Sequence, residues 1–160
     1  MAMADKVPMT PEGQIRLREE LKRLRDVEAP RVSKEIGIAR EHGDLKENAE
    51  YHAAKDKQGM IMARITLLEQ SLSRAEVIDP STLSGSKIQF GARIKLMNVD
   101  TDEEANFQIV GPDEADIKLG RISVASPLAR GLLGHEVGEE VKVVMPAGPR
   151  TYEILAVSFT

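Results

Sequence analysis

Residues 51–75 read YHAAKDKQGMIMARITLLEQSLSRA, and the spacing of their apolar residues decides the fold of the first half of the chain. Tyr51, Ala54, Gln58, Ile61, Ile65, Leu68, Leu72 and Ala75 recur at alternating steps of three and four, with Gln58 as the one polar break. A seam of this kind, held for about three heptads, is a helix with a narrow apolar edge that needs a partner helix. The partner lies upstream. Leu17, Leu21 and Leu24 start a similar stripe, and Val32, Ile36 and Ala39 resume it after a slip near Pro30. Thr10 is a suitable N-cap with Pro11 at the first helical position. Pro30 lacks an amide hydrogen and is expected to kink this first helix, which the apolar stripe nevertheless carries on. About ten residues separate the two stripes, so the economical arrangement is an antiparallel helical hairpin, with arms about 40 Å long at 1.5 Å per residue. A seam this narrow leaves the outer faces polar, as in a finger built to protrude.

The second half has a different grammar. Arg93–Leu96, Asn106–Ile109, Val141–Val143 and Tyr152–Ile154 alternate as short strands, separated by turn signals at Asp100–Asp102, Gly111–Asp113 and Pro146–Pro149. Ser126-Pro127 reads as a cap and first-turn proline opening a short helix through Leu133, closed by Gly134. The expectation is an α+β chain of two domains: a helical hairpin over 1–78, a linker over 79–86, and a mostly antiparallel β-sheet domain with one short helix over 87–160. Asp102-Glu103-Glu104 and Asp113-Glu114-Ala115-Asp116 are expected as exposed loop charges.

Composition narrows the function. The 160 residues are 41% hydrophobic and 30% charged, which is globular rather than disordered. Cys is absent, which excludes disulfides, thiolate nucleophiles and Cys-based metal sites, and fits a reducing cytoplasm. No apolar run reaches the roughly 18 residues of a membrane span, and Met1–Met9 lacks the apolar core of a signal peptide. Trp is absent and Phe and Tyr total five, too few for an aromatic platform stacked on bases. The net charge of −4 argues against a free-standing nucleic-acid binder. No Ser/His/Asp arrangement, Gly-rich phosphate loop or dinucleotide fingerprint occurs.

What remains is the segment between the two helical stripes, Glu41-His42-Gly43-Asp44-Leu45-Lys46-Glu47-Asn48-Ala49-Glu50-Tyr51. Gly43 lets the backbone leave the first helix, and Asp44 with Glu47 three residues on forms a capping-box pattern for the second. That structural role accounts for the two acids but not for a long polar finger. The functional alternative is that Asp44 and Glu47 present carboxylates from its free end. Two carboxylates are too few to cage Mg²⁺, which takes octahedral oxygen ligands and shares them with waters and phosphates. Such a pair suits the completion of another molecule's metal site. His42 and His52 lack the spacing of a zinc-binding HExxH and read as solvated or capping side chains. Arg40, Lys46, Lys55 and Lys57 flank the segment as a solvated face or as phosphate contacts.

Gly43-Asp44-Leu45-Lys46-Glu47-Asn48-Ala49-Glu50-Tyr51 resembles the acidic-tip motif of bacterial Gre transcription factors, and the extension His52-Ala53-Ala54-Lys55 resembles the GreA branch of that family. Ser126-Pro127-Leu128-Ala129-Arg130-Gly131-Leu132-Leu133-Gly134 resembles its second hallmark. The likeness extends to Met9-Thr10, Val77-Ile78-Asp79 and Ile109-Val110-Gly111, and so covers nearly the whole chain. Phe90-Gly91-Ala92 and the turn at Ala147-Gly148 are closer to the GreB branch. The resemblance implies a coiled-coil finger followed by an FKBP-like domain. It implies an accessory factor, not itself an enzyme, whose finger enters the secondary channel of RNA polymerase and stimulates cleavage of the backtracked RNA 3′ end. By motif position, Asp44 and Glu47 would serve a Mg²⁺ ion shared with the polymerase active centre, with no cofactor bound by the protein alone. Gly43 and Tyr51 would shape the tip, and Arg40, Lys46 and Lys55 are candidates for RNA contact. Ser126, Pro127 and Arg130 would lie on the domain that grips the channel rim. A cytoplasmic monomer with no membrane partner is implied. The same fold without cleavage, as a channel-occupying inhibitor, and an isomerase or chaperone on the FKBP-like analogy are the competing readings.

Overall fold

The computed structural model describes residues 6–43 and 48–159. They fall into two compact units, one spanning Ile15–Arg74 and the other joining the residues up to Gln14 with those from Ala75 onward. The two-domain α+β architecture expected from the sequence is present.

In the helical unit the outward arm is α1 (Pro11–Arg23) and α2 (Ala29–Arg40), joined by one π-helical turn over Leu24–Glu28, and the return arm is α3 (Ala49–Arg74). The seven seam residues from Tyr51 to Leu72 lie in α3 and are all buried or half-buried, while Ala75 falls just past its end. On the first arm Leu17, Leu24, Val32, Ile36 and Ala39 are buried as well, with Val32 fully inaccessible, and α3 packs against α2 and the π-helical turn. The π turn explains the slip near Pro30. Leu17 to Leu24 is seven residues and Leu24 to Val32 is eight, one too many for a heptad. In the wider turn the Ala29 amide donates to the Leu24 carbonyl, five residues back. This absorbs the extra residue just before Pro30, which has no amide to donate and whose ring would strike an α-helical carbonyl. The seam therefore stays on one side of the arm. Outside it, Arg25 pairs with Glu69 at 2.6 Å and Arg64 with Glu20 at 2.8 Å across the arms. Exposed pairs of this kind contribute about 0.2–1 kcal/mol each and chiefly favour the antiparallel register.

The second unit holds a five-stranded sheet of order β5-β4-β3-β7-β6, from β3 (Arg93–Asn98), β4 (Glu104–Val110), β5 (Arg121–Ser123), β6 (Glu140–Met145) and β7 (Gly148–Ser158). Neighbours are antiparallel except β5, which runs parallel to β4. One face of the sheet, with Ile94, Leu96, Ile109, Ile122, Val143 and Ile154, packs against α4 (Pro127–Leu132). Helix α4 is capped as its sequence indicates. Ser126 Oγ accepts from the Ala129 amide at 3.2 Å, Pro127 takes the first position, and Gly134 follows with φ of +86°. Gly131 sits where a Cβ would come within 2.9 Å of Val143, which is how the helix approaches β6 so closely.

Two features of this unit were not legible in advance. Strand β1 (Val7–Met9) pairs in parallel with β2 (Ala75–Val77), and three-residue strands are too short to show periodicity. The segment after β2 is laid on the sheet domain, with Ile78 and Leu83 half-buried against its core. Asp79 caps a 3₁₀ turn there, accepting from the Ser81 hydroxyl at 2.7 Å and the Ser81 amide at 2.9 Å. These bonds hold its carboxyl below the usual aspartate range.

The expectation of an exposed acidic loop at 113–116 fails at Glu114. Asp113 and Asp116 are exposed, but Glu114 is 5% exposed. Its carboxylate accepts from the Thr10 amide and the Gly111 amide, each at 3.0 Å, and from the Thr10 hydroxyl. A carboxylate can be buried only when its oxygens are so occupied. Thr10 meanwhile caps α1 as expected, its Oγ1 accepting from the Gly13 amide at 3.1 Å. A Cβ at Gly13 would occupy the space of the Glu114 carboxylate, so glycine is required there. One acid thus joins the start of α1 to the loop after β4.

Candidate functional site at the hairpin end

Helix α2 ends at Arg40, and the next amides tighten the turn. Glu41, His42 and Gly43 donate to the carbonyls of Ile38, Ala39 and Arg40 at 3.1, 3.2 and 3.3 Å. Gly43 has φ of +103°, a conformation that a side chain would strain, and so performs the exit expected of it. Asp44, Leu45, Lys46 and Glu47 lie outside the described residues. The two carboxylates on which the sequence reading turned, and Lys46 beside them, are among these.

Helix α3 begins at Ala49 with Asn48 as its N-cap, and the capping-box pattern of Asp44 and Glu47 falls outside the described residues. Asn48 Oδ1 accepts from the Tyr51 amide at 3.0 Å, the usual capping bond to the third helical residue. Its Nδ2 donates to the Ala39 carbonyl of α2 at 2.6 Å. One carboxamide therefore caps the return arm and fastens it to the last turn of the outward arm. An Asp at this position could cap but could not donate, which is why the amide is used. Asn is a favoured cap and stands just before the seam, so the signal was present. It was obscured by the stronger capping-box pattern four residues earlier.

Arg40 and Tyr51, both singled out from sequence, come together: the guanidinium carbon lies 5.9 Å from the ring centroid, within cation–π range. Tyr51 is half-buried and meets the His52 ring edge-on at 5.5 Å. The Arg40–Tyr51 pair spans the two arms, from the last residue of α2 to the first turn of α3. Lys55 is exposed, its Nζ 3.2 Å from Gln58 Oε1 on its own helix. Lys57 lies 4.0 Å from Glu35, so that cation is directed at the opposite arm. Among the described residues no three His, Asp or Glu side chains gather as a metal site.

Ser126, Pro127 and Arg130 lie in the other unit. Ser126 is half-buried in its capping role, while Pro127 and Arg130 are exposed. Ser126 and Pro127 line a groove of about 340 Å³ with Ile117, Ile122, Leu128 and Met145. Ile117 is 79% exposed at its mouth, so the groove presents apolar surface to solvent.

Comparison with known proteins identifies the class of molecule that combines this hairpin with this sheet domain. Residues 7–77 match the N-terminal domain of GreA/GreB transcription elongation factors, and residues 83–159 match the C-terminal domain of the same factors. The chain belongs to the GreA/GreB family of transcription elongation factors. It is 56% identical over 157 residues to transcription elongation factor GreA of Sinorhizobium medicae and 52% identical to that of Thermodesulfovibrio yellowstonii, covering 98% of this chain and 99% of each relative. Among solved structures, the GreA factor homolog Gfh1 of Thermus thermophilus is similar with 32% identity and a TM-score of 0.44, covering 95% of this chain and 98% of that one. No helix among the described residues is long and apolar enough to cross a membrane.

Proposed function

We propose that this elongation factor binds RNA polymerase as a single copy, passes its hairpin through the secondary channel, and stimulates the polymerase's own Mg²⁺-dependent cleavage of backtracked RNA. In this reading the chain is an accessory factor and the catalytic centre belongs to the polymerase. The observation that carries it is the division of labour at the hairpin end. Asn48 starts α3 and ties it to α2, so neither task calls for Asp44 or Glu47. Two acids in the connection between long, well-packed arms, in a chain of this family, are then best explained by work done on another molecule.

Asp44 and Glu47 supply at most two of the roughly six oxygen ligands that Mg²⁺ requires, so the remainder come from the polymerase, its RNA and water. Asp44 would help retain that ion and Glu47 would help position it or the attacking water, the chemistry supplied by the bound ion being activation of that water as nucleophile. Gly43, Tyr51 and Arg40 shape the ends of the two arms on either side of this segment. Ser126, Pro127 and Arg130 belong to the surface that holds the sheet domain at the rim, where the apolar groove beside Ser126 offers buried area.

The test uses polymerase stalled in a backtracked state on end-labelled RNA. Added with Mg²⁺, the protein is expected to shorten the transcripts promptly by two or three nucleotides. Asp44→Ala and Glu47→Ala are each expected to abolish most cleavage while polymerase binding persists. Binding by the parent protein without cleavage would identify a channel-occupying inhibitor. Proline isomerisation without polymerase binding would identify an isomerase.

A further inference from the structure

The open face of the five-stranded sheet, opposite α4, is not uniformly charged. From residue 79 onward the chain has 8 Lys and Arg against 12 Asp and Glu, so an average patch there is acidic. One basin of about 620 Å³ on this face nevertheless gathers Arg93, Lys95 and Arg121 with Asn106, Gln108 and Ser158, and no carboxylate lines it. The strand register makes the grouping specific. Arg93 of β3 stands opposite Gln108 of β4, and Gln108 stands opposite Arg121 of β5, in one row across three strands. With strands about 4.8 Å apart, the two arginine backbones are about 10 Å apart, a gap that two guanidinium groups can close on one anion. Lys95 lies two residues further along β3, opposite Asn106, on the same face. Among the described residues neither Arg93 nor Arg121 has an ion-pair partner, while Lys95 is 3.4 Å from Glu104.

We propose that this face is a docking site for an acidic segment of a partner protein, an extended stretch whose alternate Asp or Glu side chains meet Arg93, Lys95 and Arg121. Charge complementarity and spacing select that occupant. Alternate residues of an extended segment lie on one side, about 6.6 Å apart, which is the spacing of Arg93 and Lys95 along their strand. Arginine forks bind carboxylates through paired hydrogen bonds, and the two carboxamides can serve the segment's peptide groups. A nucleic-acid strand fits less well. The one aromatic in the lining, Phe107, packs toward the core and offers no face for a base to stack on. A small phosphate compound would leave most of its surface in water on so open a face.

The test is a titration of the isotopically labelled full-length protein, followed by amide chemical shifts, with an eight-residue alternating Glu-Ala peptide. The matching Gln-Ala peptide and a short oligothymidylate are the comparisons. Saturable shifts are expected at Arg93, Lys95, Asn106, Gln108 and Arg121 with the Glu peptide alone. The double variant Arg93→Ala, Arg121→Ala should weaken them at least about tenfold, since each guanidinium removed takes charge-assisted bonds with it. Lys142→Ala, on β6 at the far edge of the sheet, should leave the binding unchanged. Absence of saturable shifts, equal response to the Gln peptide, or indifference to the arginine variant would overturn the proposal. Tighter binding of the oligothymidylate to the same row would replace it with a nucleic-acid site.

Discussion

Replacing Glu114 by Ala tests whether one buried acid joins the start of α1 to the sheet domain. The change leaves the amides of Thr10 and Gly111 without an acceptor in a site that is 5% exposed, and removes the acceptor of the Thr10 hydroxyl. An orphaned buried donor costs about 1–3 kcal/mol, so two backbone amides alone give roughly 2–6 kcal/mol, reduced where water enters the vacated space. A loss of about 3 kcal/mol is therefore expected. Glu114→Gln keeps one acceptor oxygen in nearly the same volume and should cost about half as much. Urea unfolding followed by the fluorescence of Tyr152, which is buried in the sheet domain, measures both variants in a Tyr51→Phe background, because the chain has no Trp and Tyr51 is its one other tyrosine. Amide exchange at Thr10 and Gly111 gives the local readout and should accelerate in Glu114→Ala before the remainder of the sheet responds. A Glu114→Ala protein within about 0.5 kcal/mol of the parent, with exchange at both amides unchanged, would refute the reasoning.

Gly13→Ala should reproduce much of the Glu114→Ala loss from the other side, since the new Cβ displaces the carboxylate, and the same unfolding curve measures it. Asn48→Ala should lower the stability of the hairpin by about 1–2 kcal/mol through the lost cap and the lost bond to Ala39, seen in thermal melts of the helical signal. Asn48→Asp, which caps but cannot donate, should fall between that variant and the parent. The hydrogen bond from Arg64 holds the Glu20 carboxyl below its usual range. A depressed folded value means that the stabilisation is complete above the ordinary glutamate pKa and is lost as pH falls through the lower folded value. Arg64→Ala should therefore narrow its deficit to the parent as unfolding is measured below about pH 4.5, with no more than about 1 kcal/mol at stake in so exposed a pair.

The hairpin was legible because its information is local and periodic. A seam from Tyr51 to Ala75 repeats often enough that no other element accommodates it, and Val32, Ile36 and Ala39 answer it on the first arm. The α4 cap and the alternating strands were legible for the same reason: Ser126-Pro127, and residue pairs such as Ile94 and Leu96, carry their instruction within a few positions. Pro30 and the slipped stripe marked an irregularity without naming it, because whether the helix kinks or widens into a π turn depends on holding Leu24 and Val32 against α3. At the hairpin end, Asn48 is legible as a cap from its place before the seam, but its second bond, to the Ala39 carbonyl of the other arm, depends on the pairing of the arms.

By itself the sequence determined the helical and strand segments, the apolar faces they bury and the acids of the connection, since each rests on neighbours near in the chain. Only the tertiary structure decided the partners of polar groups distant in sequence. Glu114 is an acid in an acidic loop until Thr10, about a hundred residues earlier, brings its donors to it. Arg93, Gln108 and Arg121 are unrelated letters until the strand register sets them in one row. Hydrophobic periodicity survives as a local signal because burial needs no particular partner. A hydrogen bond or a charge cluster does need one, and that partner is supplied by the fold.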